Sequence, residues 1–280
     1  MNVVIAGLGL IGGSVALALR AARPNVEIVG VDRASVLATN AVKPLATRFV
    51  DAADTGAVDA AFARADLVLL AAPVRVIVEL LPRALAAAKL VTDCGSTKRT
   101  IARAADASPR RARFVPGHPM AGAREGGAEL ARADLFRERR WLLCGEKSDP
   151  GAVRDVETLV QSFGALPVHL GIDEHDRAVA RTSHATQLVG SALLVTASGT
   201  EAARAAGPAF EGATRSAGGA EAIWDDIFAT NADEIAKALG DLVGELERVR
   251  LDLERQPPVL DAARALLRRA KDARRTHRGA

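Results

Sequence analysis

The chain has 280 residues, 49% of them hydrophobic and 25% charged, a composition that excludes a fibrous or disordered chain and is long enough for two domains. Its net charge of +3 comes from the end: positions 261–280 hold seven Lys or Arg against two Asp, so the body is slightly acidic and is not expected to bind nucleic acid. That tail lacks interleaved aromatics to stack on bases and reads as a solvated helix end.

The apolar start, Met1 to Leu19, has no cationic leader and is interrupted by glycines, so it is not read as a signal peptide, and no run is long enough to span a membrane. From the second residue onward, β-branched runs alternate with Ala/Leu-rich helical stretches. Strands are expected near 2–6, 26–32, 66–71, 90–94, 112–116, 140–144 and 165–169. Helices are expected near 10–22, 55–63, 74–88, 97–105 and 150–163, with Pro150 suited to a helix start. This is the pattern of an α/β domain, a doubly wound parallel sheet with helices on both faces. Cys94 and Cys144 fall in strand-like surroundings without zinc or disulfide spacing, as expected of reduced core residues in a cytoplasmic protein.

After Leu170-Gly171 the strand signals stop. Helical spacing then runs through about 174–200, 219–229, 231–254 and 259–275, with breaks at Gly207-Pro208, Gly218-Gly219 and Pro257-Pro258. The expected organisation is an α/β domain over 1–171 and an all-helical domain over 172–280, with no regulatory module beyond it. Four helices are too few to cover one another's apolar faces, so a second copy of the chain is expected against them.

Residues 2–14, NVVIAGLGLIGGS, carry an apolar strand into Gly7-Leu8-Gly9-Leu10-Ile11-Gly12 and then a helix, and Asp32 ends the next strand. Gly7 permits the tight turn, Gly9 lets backbone approach a pyrophosphate, and Gly12 lets helix and strand pack closely. The helix N-terminus offers its free N–H groups to the phosphates. Strand, motif, helix, second strand and terminal acid stand in register, which marks a dinucleotide site more firmly than the glycines alone. Asp32 would accept hydrogen bonds from a ribose diol and repel a 2′-phosphate, favouring NAD. Arg33 beside it would bind such a phosphate, so NADP stays open.

Ligands in such sheets lie outside the carboxyl ends of the strands. There Ala72 and Pro73 leave room for a dinucleotide, Ser96 stands either as a helix N-cap or as a site residue, and His118 in GHPMAG ends the following strand. In DEHDRAVARTSHATQLVGSALL, Asp176, His184, Gln187 and Ser191 form a polar stripe that must be satisfied by ligand, water or partner groups. His175 and His184 as metal ligands are disfavoured, because nothing completes a site; no metal is expected. Arg215 and Trp224 read as a surface ion pair and a core residue unless a site claims them.

Together GLGLIGGS, VTDCGSTK, GHPMAG, the DEHDRAVARTSH helix and TRSAGGAEAIWDDI resemble the prephenate/arogenate dehydrogenase family over essentially the whole length. The resemblance implies a Rossmann domain, a helical dimerisation domain and an NAD-linked oxidative decarboxylation in tyrosine biosynthesis. It implies that His118 takes the substrate's hydroxyl proton, Ser96 touches that hydroxyl, Arg215 holds a carboxylate, and His184, Gln187, Trp224 and Arg124 border the substrate. The sequence departs from many relatives at three places: Gln187 replaces the second histidine of S-H-x-x-H, and Arg124 and Gly212 stand where some have acids. Loss of two acids favours dianionic prephenate over arogenate, although Glu125 and Glu211 lie next door. Two other readings remain: a β-hydroxyacid dehydrogenase, which would want a lysine on the interdomain helix, and a non-catalytic NAD-binding regulator.

Overall fold

The computed structural model describes residues 1–123, 125–199, 201–219 and 221–278. Its first part alternates β1 (Asn2–Ala6), α1 (Leu10–Ala22), β2 (Glu27–Asp32), α2 (Ala34–Leu37), β3 (Arg48–Asp51), α3 (Thr55–Ala63), β4 (Leu67–Leu70), α4 (Val74–Ala87), β5 (Val91–Asp93), α5 (Arg99–Asp106) and β6 (Phe114–Val115). The six strands pair in parallel in the order β3-β2-β1-β4-β5-β6. The order reverses direction between β1 and β4, which opens a crevice at their carboxyl ends.

Strand alternation sorts the core into two layers. Val3 and Ile5 of β1, with Leu67 and Leu69 of β4, belong to one buried cluster; Val4, Ala6, Val68 and Leu70 belong to the other. Each Val, Ile or Leu side chain among them contributes about 1.5–3 kcal/mol on burial, so helices cover both faces of the sheet. β3 has no counterpart among the expected strands: RFVD is four residues long with two of them exposed, too short to show a periodicity.

The expected strands after 111 require correction. The run over 112–116 ends its parallel ladder at Val115, because Pro116 has no N–H to continue it. The chain then starts β7 (Gly117–Pro119), which pairs antiparallel with β8 (Arg140–Leu143); β8 pairs in parallel with β9 (Leu166–His169), after α6 (Pro150–Ser162). These three strands form a separate sheet. His118 therefore does not end a strand of the main sheet but sits in the middle of β7, opposite Leu142.

The expected helix over 174–200 is three pieces: α7 (Ile172–Val179), a π-helical turn at Ala180–His184 and α8 (Ala185–Ala197). α9 (Pro208–Thr214) follows. α10 (Glu221–Leu253) joins the two expected helices 219–229 and 231–254 across Asn231, whose φ of −142° and ψ of 24° are not helical. The last helix is α11 (Asp261–Arg278).

The chain divides into compact units at Met1–Ala232 and Asp233–Ala280. α7 to α9 thus stand with the α/β part, to which side chains of α7 and Asn231 bind directly, as described below. In the second unit Arg269 of α11 donates to Glu245 of α10 at 3.1 Å, and Val243 and Leu246 are 62% and 60% exposed.

Candidate active site

The loop between β1 and α1 is shaped by what its glycines exclude. Gly7 has φ of +97°, and a Cβ there would lie 2.3 Å from the carbonyl oxygen of Ala71, at the end of β4. Gly12 is pressed against the same loop. A Cβ on Gly9 would meet nothing within 4 Å, so open space lies over the one glycine assigned to the pyrophosphate. Gly9 is also the N-cap of α1, with no side-chain cap and no acid in the first turn, leaving the positive helix end for an anion.

Asp32 Oδ2 accepts the N–H of Leu8 at 2.7 Å, and Oδ1 accepts that of Arg33 at 2.7 Å. These bonds fix the carboxylate beside the loop and leave it lone pairs for further donors. The Leu8 side chain is fully buried and that of Leu10 is buried, so only their backbones are open to a ligand, while Ile11 is half-buried. Arg33 and Pro73 are exposed, and Ala72 is half-buried.

His118 is placed by Gly117, where a Cβ would lie 2.8 Å from the Asp93 carbonyl oxygen; only glycine lets β7 run this close to β5. The Gly117 N–H donates to Asp93 Oδ1 at 3.0 Å, and Asp93 in turn forms a fully buried ion pair with Lys98. The half-buried His118 ring puts Nδ1 2.9 Å from Nε2 of His175, with ring centroids 5.1 Å apart. Nδ1 of His175 is 2.8 Å from Oδ1 of Asp176. His175 and Asp176 are fully buried on α7.

Asp176 also caps a helix distant in sequence. Its carboxylate accepts the N–H groups of Lys98 at 2.7 Å and Arg99 at 3.0 Å, and the Arg99 Nε at 3.2 Å. This removes one of the two readings of Ser96, the helix N-cap. α5 begins at Arg99 behind Lys98, so the half-buried Ser96 is not its N-cap, and the cap comes from α7. Thr97, next to Ser96, has its hydroxyl 2.7 Å from that of Thr230.

Asn231, at the break in α10, ties the rest together. Its side chain accepts from Arg99 at 2.7 Å, donates to the Asp176 carbonyl at 2.9 Å, and lies 3.4 Å from Nδ1 of His184. His184 meets Trp224 edge-on with centroids 6.0 Å apart. Gly219 adjoins both the Trp224 indole and Gln187, since its Cβ would lie 2.5 Å from the indole Nε1 and 3.4 Å from Gln187 Nε2. His118, His184, Gln187 and Trp224 are thereby joined in one connected cluster. The π turn, a feature that often marks functional positions, carries His184.

Arg215 follows α9, exposed and without a hydrogen bond or ion pair among the described residues. Arg124 lies outside the described residues. Among the described residues no group of three or more His, Cys, Asp and Glu could hold a metal.

The electrostatics separate charged from neutral groups. Burial pushes His118 well below the ordinary histidine range, and His175, Lys98 and His184 add to this. Burial also lowers His175, against the opposing hydrogen bond with Asp176, and brings His184 down to about 4, against the charge of Asp176. Burial alone would raise Asp176, but hydrogen bonds from His175 and from the Arg99 and Lys98 backbone hold it below the usual carboxylate value. Near neutrality an ionised Asp176 stands behind three uncharged imidazoles.

Residues 15–168 match the family described as prephenate dehydrogenase, nucleotide-binding domain, and residues 172–258 match prephenate dehydrogenase, dimerization domain. The chain belongs to the prephenate dehydrogenase family. A prephenate dehydrogenase of Bacillus subtilis is 32% identical over 267 residues, 91% of this chain and 71% of that one. A cyclohexadienyl dehydrogenase of Zymomonas mobilis is 27% identical over 267 residues, 91% and 89% of the two chains. The solved prephenate dehydrogenase of Aquifex aeolicus, in complex with hydroxyphenyl propionate and NAD+, has the same fold. Its TM-score is 0.82 at 24% identity, covering 100% of this chain and 98% of that one.

The two prephenate dehydrogenase family matches meet on either side of Gly171, the N-cap of α7. Within this family member, sequence reasoning weighs His175 only as a metal ligand and passes over Asn231. A separation of 57 positions in the chain hides the contact of His118 with His175. The signal that could have found it is the adjacent His-Asp pair in DEHD, two polar groups that a buried helix face must satisfy.

Proposed function

We propose that this chain is an NAD-dependent prephenate dehydrogenase, converting prephenate to 4-hydroxyphenylpyruvate and CO₂ in tyrosine biosynthesis. The observation that carries the proposal is His118: a half-buried imidazole kept uncharged near neutrality, anchored through Nδ1, in a strand whose Gly117 bonds to Asp93 at the end of β5.

The chain fits the dinucleotide. Gly9 leaves space for the pyrophosphate, the N-terminus of α1 supplies N–H groups, and Asp32 retains lone pairs for a ribose diol. Leu8, Leu10, Ile11, Ala72 and Pro73 complete the cradle, with Gly7 and Gly12 fixing its turn. Arg33 would decide any use of NADP. NAD, when bound, supplies the hydride acceptor.

The remaining work falls to this chain's side chains. His118 accepts the proton of the substrate's ring hydroxyl as carbonyl character develops at that carbon. Ser96 hydrogen-bonds the same hydroxyl. Arg215 holds a substrate carboxylate with its planar, permanently charged fork. His184, Gln187 and Trp224 border the ring, and Arg124 is assigned to the same rim. Departure of the ring carboxylate as CO₂ leaves an aromatic ring, which makes the step effectively irreversible. Arg124 and Gly212, where some relatives have acids, favour prephenate over arogenate, and the neutral Gln187 makes its contact independent of pH.

We also propose that residues 1–171 bind the dinucleotide, that 172–280 form the helical part, and that two copies pair through it in the cytoplasm. Exposed Val243 and Leu246 and the dimerization-domain match support the pairing. No described helix is long and apolar enough to cross a membrane.

The test crosses prephenate and arogenate with NAD and NADP and follows the near-ultraviolet absorbance of the reduced cofactor. The highest kcat/KM is expected for prephenate with NAD. Preference for arogenate would make the chain a cyclohexadienyl or arogenate dehydrogenase, and NAD binding without reduction would make it a non-catalytic regulator.

A further inference from the structure

We infer that His175 and Asp176 are positioning residues that fix the tautomer of His118, an inference that rests on reading His118 as the base. The argument runs inward from the carboxylate. Asp176 is an acceptor only, and it is immobilised by the backbone N–H groups of Lys98 and Arg99 and by the Arg99 guanidinium. The His175 Nδ1 that faces Oδ1 of Asp176 at 2.8 Å must therefore carry a proton.

A neutral His175 with its proton on Nδ1 has a bare Nε2. That nitrogen lies 2.9 Å from Nδ1 of His118, and two bare nitrogens at this distance would repel, so His118 donates from Nδ1. A neutral His118 protonated on Nδ1 has its lone pair on Nε2. Two links thus transmit one buried charge into one outcome: the imidazole atom left for substrate is the one able to take a proton. An isolated histidine ring would divide itself between both tautomers.

The same links act after proton uptake. When Nε2 of His118 receives the substrate's hydroxyl proton, the ring becomes a cation that still donates from Nδ1 to His175. His175 stays polarised by Asp176, and no proton need leave any of the three groups. His175 and Asp176 touch neither hydroxyl nor hydride; they act through His118. An orienting carboxylate behind a catalytic histidine is a known catalytic device, and its loss in the serine-protease triad lowers kcat about 10⁴-fold by giving the wrong tautomer. Here a second imidazole stands between acid and base.

The test has a readout apart from turnover. In ¹⁵N-labelled full-length protein, the imidazole nitrogen shifts of His118 should show Nδ1 protonated and Nε2 bare. His175→Phe removes the acceptor and should shift His118 toward the other tautomer. It should lower kcat on the order of 10²-fold, with KM for prephenate changed less than about threefold. His175→Gln, whose amide oxygen still accepts, should recover part of the rate.

A wild-type His118 carrying its proton on Nε2 overturns the inference. So does unchanged kcat in His175→Phe, or a loss confined to KM, or His175→Gln no faster than His175→Phe. If the wild type oxidises neither prephenate nor arogenate, the functional reading falls instead, and the ¹⁵N shifts still decide whether the relay exists.

Discussion

The carbonyl oxygen of Gly7 lies 1.8 Å from where the Cβ of a residue at Gly12 would begin. Backbone meets backbone there, so no rotamer can relieve an added methyl. Gly12→Ala should destabilise the protein by about 1–3 kcal/mol, the usual cost of overpacking, and weaken NAD binding with it. Gly9→Ala has no neighbour to strike. It should leave the thermal midpoint unchanged and weaken only NAD affinity, which dye-monitored melting and titration calorimetry would separate.

Lys98 and Asp93 are an ion pair with no exposed surface, and Asp93 also accepts the N–H groups of Gly95 and Gly117. Lys98→Met keeps the volume and strands the carboxylate. Urea unfolding should show a loss of about 3–5 kcal/mol. Since Gly117 leads directly to His118, kcat should fall more than NAD affinity does.

The buried histidines make stability depend on pH. His184 titrates near 4 in the folded protein, against about 6.5 when unfolded, so between these values the unfolded chain binds more protons. Stability is therefore complete above about pH 6.5 and falls on acidification, by roughly 3 kcal/mol for this group alone by the time pH 4 is reached. His118 and His175 are displaced in the same direction, and Asp176 adds its own loss at still lower pH. Urea midpoints at neutral and acid pH should show the decline, and His184→Gln should flatten it.

Arg215 is exposed and unpaired among the described residues, so its removal costs the fold little. Arg215→Ala should raise KM for prephenate on the order of tenfold to a hundredfold while kcat changes by less, and Arg215→Lys should lie between. His118→Ala should do the reverse, lowering kcat with little change in KM. Steady-state kinetics on both proteins would expose a wrong assignment as equal, small effects.

The parallel sheet was legible because its strands are apolar runs separated by helical ones, and the tight turn at Gly7 and the close packing at Gly12 were legible from their place between strand and helix. β3 was hidden by its four residues. The second sheet was hidden because Pro116 stops a ladder without ending the extended chain, so the strand expected over 112–116, with His118 at its end, is two strands in different sheets. The cap reading stayed open for Ser96 because local sequence cannot reveal that α5 is capped by Asp176. Resemblance pointed to His118, His184 and Arg215, but what holds His118 was out of reach: His175 and Asn231 act across the fold, where no periodicity runs.

The π turn from Ala180 to His184 sets the helical rows before and after it out of phase. Asp176 and His175 are displayed on one phase, His184 and Gln187 on another, and a single surplus residue lets both aim inward. Removing one residue from that turn would rotate everything after it by about 100° while leaving the earlier pair facing His118. The helix thus holds an angular offset, and one surplus residue sets how His184 and Gln187 face relative to His175 and Asp176.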